Sequence, residues 1–277
     1  MSTLMTKRAV AALAAVGLAV GGTVVFETQT GASGAAPPAA DAPTPPPPPD
    51  GVRPDVTPNV VATNATCGET ITASLTLNGD LSCPSSLVAI TIGAKSVTLN
   101  LNGHTIDGGS TSITGVSMSF ASDVVEKGLI SNFVSRGVDL AGSTSTVTAI
   151  RAVNDGVGIV DQGTSDKITN NIATGNSYGI VAYGYLSTYS GNHLLNNSQG
   201  GMFISDTGGV VTSNIADGNG FNGIWDANGL GVTLTKNTAN YNGALGINGA
   251  ASNLIDGGGN LAKGNTTSTQ CYGVVCS

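Results

Sequence analysis

Apolar and polar positions along the chain recur with a period near 22 residues. A Gly followed by an apolar residue appears as Gly137-Val138, Gly158-Ile159, Gly179-Ile180, Gly201-Met202, Gly223-Ile224 and Gly246-Ile247. An Asn keeps the same phase at Asn154, Asn176, Asn197, Asn219, Asn242 and Asn265, and a second precedes it at Asn171, Asn192, Asn214, Asn237 and Asn260. Three ladders in phase mark stacked repeats. The period is too short for helix-turn-helix repeats and suits one coil of three short strands joined by turns. Coils then stack at about 4.8 Å, with alternate residues pointing in and out. Ile180, Met202, Ile224 and Ile247 form one expected inward column, and Ala173, Leu194 and Ala216 part of another. Glycines supply turn dihedrals that a Cβ would oppose. The Asn residues are expected to tolerate the left-handed region and to bond through their amides from coil to coil.

The ends of the chain change the picture. Lys7 and Arg8 precede an apolar run from Ala9 to Phe26 and small residues to Ala36, which reads as an export signal over residues 1–36, with an uncleaved anchor as the alternative. Ten of the eleven prolines lie between Pro37 and Pro58, an extended polyproline stalk over 37–58. Residues 59–277 form the folding unit. The chain carries 10 Lys and Arg against 17 Asp and Glu, a net charge of −7, which argues against nucleic acid and against an anionic membrane face; the folded domain is not expected to insert into a membrane.

The segments Cys67-Gly68-Glu69-Thr70-Ile71, Leu81-Ser82-Cys83-Pro84 and Val97 through Ile106 resemble the first turns of many exported bacterial β-helix proteins. With the Asn-rich repeats, the chain resembles the pectin-lyase-like superfamily of right-handed parallel β-helices, of the carbohydrate-binding and sugar-hydrolase type. The resemblance runs from about Thr66 to the C-terminus. It implies an all-β, single-stranded parallel solenoid, here of about eight coils. Four cysteines in an exported chain favour disulfides, and three pairings are possible. Stacked coils separate the two ends by far more than the roughly 7 Å a disulfide spans, which leaves Cys67–Cys83 and Cys271–Cys276.

Resemblance to a pectate lyase implies an Asp cluster and an Arg or Lys base, and to a polygalacturonase paired Asp residues with Gly-His-Gly and Arg-Ile-Lys, and none of those motifs stands in the sequence. Asp161 and Asp226 match in phase but lie three coils, about 14 Å, apart, too far for a glycosidase pair, with Asp206 between them. All three read first as turn residues. Arg136 and Arg151 are the bases to consider if a lyase is present. His104 reads as a turn residue, His193 should face outward, and two separated histidines do not suggest copper; no metal or cofactor is expected. The residue after each inward Ile or Met should face solvent: Asp139, Val160, Val181, Phe203, Trp225, Asn248. Phe203 and Trp225, with Tyr183 beside them and Tyr185, Tyr178 and Phe221 close by, form a flat aromatic strip suited to sugar rings, with Asp206 and Asp226 accepting hydroxyl bonds at its rim. The function expected is glycan binding at a cell surface or outside the cell. A divergent polysaccharide lyase or hydrolase and a structural or adhesive solenoid are the alternatives.

Overall fold

A computed structural model describes residues 64–249 and 253–277; the export signal and the proline stalk lie outside the described residues. The described chain is an all-β right-handed solenoid of about nine turns, against the eight expected. Every strand pair is parallel, in one sheet of ten strands and another of thirteen. A representative coil gives Val157–Asp161 to the first sheet, then Lys167–Thr169 and Ile172–Thr174 to two arms of the second, and returns as Tyr178–Ala182. Parallel pairing between successive coils follows from this single winding, because each strand meets its repeat one circuit later.

The inward columns fall where the periodicity places them. Ile159, Ile180, Met202, Ile224 and Ile247 are in register and fully buried. Ala173 pairs with Leu194, and both are buried along with Ala216. Burial of each large aliphatic stabilises the stack by about 1.5–3 kcal/mol.

The ladders need two corrections. The repeated Gly before each inward residue does not adopt a positive φ; among Gly137, Gly158, Gly179 and Gly201 none does. Its reason is contact: a Cβ on Gly179 would sit 2.7 Å from the Gly201 carbonyl oxygen and 3.1 Å from Asn197 Nδ2 and Leu194 Cδ2. Gly179→Ala should therefore cost about 2–3 kcal/mol through overpacking, read as a lower urea midpoint at an unchanged slope.

The ladder Asn residues are not left-handed either. The residue before each one is: Asn170, Gly191, Ser213 and Lys236 before the first ladder, and Gly175, Asn196, Gly218 and Tyr241 before the second. One positive φ turns the chain, and the next residue points its amide inward along the axis. This shifts one assignment, since Asn154 is itself a left-handed residue (φ 58°) and Asp155 occupies the ladder position. A third, shorter ladder alternates acid and hydroxyl: the Asp123 amide donates to Ser145 Oγ, Ser145 to Asp166 Oδ1, and Asp166 to Ser187 Oγ.

Both ends are closed as expected, by Cys67–Cys83 and Cys271–Cys276 with Cα separations of 5.4 and 6.1 Å. At the C-terminal end Gln270 Oε1 accepts from both the backbone amide and Nδ2 of Asn265, each at 2.9 Å, in the place a further ladder Asn would take.

Candidate functional site

The outward face of the first sheet carries the aromatic residues. Val181, Phe203 and Trp225 stand in register on three consecutive coils, and Tyr178 pairs with Gly200 beside them. Phe203 and Trp225 are half-buried. Their rings meet edge to face, 5.2 Å apart at 89°. Phe203 also meets Tyr178 and Tyr183, and Trp225 meets Phe221, in similar edge contacts. Gly200 leaves room for this arrangement: a Cβ there would lie 3.1 Å from the Tyr178 ring.

The strip is therefore a folded cluster of five rings and not a flat ribbon. Upstream, Val160 and Val181 point outward but are only 3% and 7% exposed. The expectation that this whole column faces solvent holds for Phe203 and Trp225 in part, and fails for the two valines. Tyr183 and Phe221 are the most open members, at 43% and 48%. Burial holds the phenols of Tyr178 and Tyr183 above the usual tyrosine range, so both remain hydrogen-bond donors through neutral pH.

Next to the cluster Arg136 Nη1 pairs with Asp139 Oδ1 at 2.7 Å, and Gln162 Nε2 donates to the same oxygen at 3.2 Å. Arg151 is exposed on the second sheet, so the two candidate bases stand on different faces. His193 is exposed on the second sheet, as expected, and His104 lies 3.4 Å from Asp80 at a turn. Among the described residues no His, Cys, Asp and Glu side chains gather to hold a metal ion.

The carboxylates depart most from expectation. Asp206 and Asp226 are fully buried, which withdraws both from the rim where sugar hydroxyls would meet them. Asp161 lies in an inward column, in register with Leu140 below and Ala182 above. Tyr189, also fully buried, holds its hydroxyl 2.6 Å from Asp161 Oδ2 and 3.0 Å from Asp206 Oδ2, and its single hydrogen serves one of the two carboxyls at a time. Asp161 and Asp206, offered by the sequence as separate turn residues, thus share one interior phenol. The strand alternation Thr188-Tyr189-Ser190 is the signal that places Tyr189 inward. Burial pushes Asp206 up to about 6 and Asp166, close to Asp161 and Asp206, up to about 7. Asp226 rises for the same reason. These acids belong to the interior of the coil.

A family model for right-handed β-helix regions matches residues 88–239. The chain matches no curated protein. Among solved structures it is similar to the A-module of the Azotobacter vinelandii mannuronan C-5 epimerase AlgE4, at 16% identity and a TM-score of 0.51, over 74% of this chain and 76% of that one. It is also similar to the Dettilon tailspike protein gp208, at 13% identity and a TM-score of 0.47, over 73% of this chain and 56% of that one. The chain thus spans little more than half of the tailspike. Fold, ladders and family match agree, and the chain belongs to the right-handed β-helix family.

Proposed function

We propose that the protein is an exported glycan-binding solenoid whose aromatic cluster on the first sheet holds the polymer. The observation that carries this reading is the half-buried pair Phe203 and Trp225, stacked edge to face and flanked by the open rings of Tyr183 and Phe221. Ring faces held rigidly by neighbouring rings meet the apolar faces of sugars, and the phenol hydroxyls of Tyr178 and Tyr183 meet sugar hydroxyls. Edge-to-face packing lowers the ordering cost on binding, because the platform exists before the ligand arrives. Polar recognition falls to these phenols, to Gln162 and to the Arg136–Asp139 pair, in place of the buried Asp206 and Asp226. The named substrate of the epimerase with the shared fold, mannuronan, supports a polysaccharide as the ligand class. Two disulfides and the sequence-level export signal support a location outside the cytoplasm.

Binding is favoured over turnover because Asp161, Asp206 and Asp226, the carboxylates in phase along the coils, are enclosed, and Asp139 is engaged by Arg136. The test is a polysaccharide array read for retention and, in parallel, for reducing or unsaturated products. Trp225→Ala should weaken retention at least tenfold, with the fold retained at a cost of about 1–2 kcal/mol for its two lost ring contacts. Phe203→Ala should weaken it too, and lower stability by about 1–3 kcal/mol through its three lost ring contacts. Unchanged retention in Trp225→Ala would remove the aromatic cluster from the site, and product release by the wild type would make the protein an enzyme.

A further inference from the structure

The second sheet carries a face of different chemistry. Over five consecutive coils its first arm has the pattern outward-inward-outward, and the inward residues Val147, Ile168, Tyr189, Val211 and Leu234 are all fully buried. One outward column reads Thr148, Thr169, Ser190, Thr212, Thr235, in register at every step. The other reads Thr146, Lys167, Thr188, Val210, Thr233, equally in register. Hydroxyls hold the whole of the first column and alternate coils of the second. Neither column contains an aromatic residue, and Lys167 is the one charge in the two.

The geometry fixes these hydroxyls on a rectangular grid. Coils repeat at about 4.8 Å, and residues i and i+2 of one strand stand about 6.6 Å apart. Thr is β-branched and stiff at χ1, so its hydroxyl and methyl keep their places. Thr169 Oγ1 donates to Thr148 Oγ1 at 3.1 Å, one coil to the next. The hydroxyls of Thr188, Ser190, Thr233 and Thr235 make no hydrogen bond within the described residues and point to solvent.

From this array we infer a second binding surface whose ligand is crystalline water: the Thr and Ser face of the second sheet adsorbs to ice. A hydroxyl both donates and accepts, as does every water site in a hydrogen-bonded lattice. A grid of fixed hydroxyls interleaved with methyls therefore holds a layer of ordered water, and a layer with that two-dimensional repeat joins an ice surface at small entropic cost. A single soluble ligand has no use for one chemical group repeated at every coil. A sugar polymer finds its aromatic planes on the other face of the solenoid, so the two surfaces are independent.

Ice-affinity partition of the purified protein tests this. The wild type should be enriched at least tenfold in slowly grown ice relative to an unrelated globular protein. Ser190→Tyr combined with Thr212→Tyr breaks the plane of the complete column and should abolish the enrichment while circular dichroism and the melting temperature stay close to wild type. Lys167→Thr, which fills a gap in the broken column, should raise enrichment, so the inference does not rest on loss of function alone. Trp225→Ala should partition as the wild type does, whatever becomes of glycan binding. Exclusion of the wild type from ice overturns the inference. So does retention on microcrystalline polysaccharide that the Ser190 and Thr212 substitutions abolish without any ice enrichment, which would make the face a site for a polymer crystal.

Discussion

Asp155→Asn should stabilise the solenoid at neutral pH by about 3 kcal/mol, an unusual sign for a change at a buried position. Asp155 occupies an Asn position in the second ladder. Its Oδ1 accepts from the Phe133 amide at 2.9 Å and its own amide donates to Asn176 Oδ1 at 2.7 Å, as in the rest of the ladder. Its Oδ2, where a ladder Asn carries two donor hydrogens, is buried with no partner. An ionised carboxylate there has nothing to accept from, and burial pushes the pKa up to about 8. The folded state thus keeps a proton that the unfolded chain releases near pH 4. The stability this group contributes is complete below that pH and falls by up to about 1.4 kcal/mol per unit as pH rises toward 8. Asn supplies the missing donor without a proton and removes one proton's worth of slope across that window. Urea midpoints from pH 4 to pH 8 measure both effects. A substitution that destabilises at pH 7, or leaves the slope intact, would mean that Asp155 is ionised in the fold.

The reverse change, removal of an amide from the middle of the same ladder, should be among the most damaging in the domain. Asn197 Oδ1 accepts from the backbone amide and Nδ2 of Asn176, both at 3.1 Å, while its Nδ2 donates to the Ala173 carbonyl and to Asn219 Oδ1. Asn197→Ala strands buried partners on both adjacent coils. Each orphaned group costs about 1–3 kcal/mol, so the loss should reach about 4 kcal/mol or more, above that of a buried aliphatic truncated one coil further on. Thermal or urea unfolding of Asn197→Ala beside Ile224→Ala gives the comparison. A smaller loss for Asn197→Ala would show that water enters the ladder and replaces the amide.

Much of this architecture is legible from sequence because the repeat makes a single argument count many times. Ile180, Met202, Ile224 and Ile247 share one phase, so fixing the orientation of one fixes them all. The disulfides follow from the shape that the same phase implies. What the period does not carry is the contact between coils. Nothing in a string of letters distinguishes a Gly needed for its dihedral from one needed because a carbonyl lies 2.7 Å away on the next turn, as at Gly179. Asn154 and Asp155 differ by one position, and both chemistries suit a turn, so only the hydrogen bonds decide which enters the ladder. Asp161 does cap a turn, its Oδ1 accepting from the Gly163 amide at 3.0 Å, but the burial of Asp161 and Asp206 is not written in the sequence. Carboxylates are rarely enclosed without a partner, and here the partner is a tyrosine on the coil between them. The concentration of aromatic residues between Tyr178 and Trp225 is plain in the sequence, but their edge-to-face packing depends on side-chain rotation that sequence spacing does not record.

Gln270 decides how the second Asn ladder closes. In a ladder every coil is a mould for its successor, since the last amide always presents donors that only another copy of itself would fill. A stack built this way has no internal reason to stop, and a second molecule's first coil would serve as well as its own next one. Gln270 fills the mould with a side chain one methylene longer, from a segment that pairs no further along that ladder, and the adjacent Cys271–Cys276 loop holds it in place. The pattern that makes this ladder extensible therefore closes on a residue that imitates the next repeat without continuing it, and the donors that would otherwise template a further coil are satisfied.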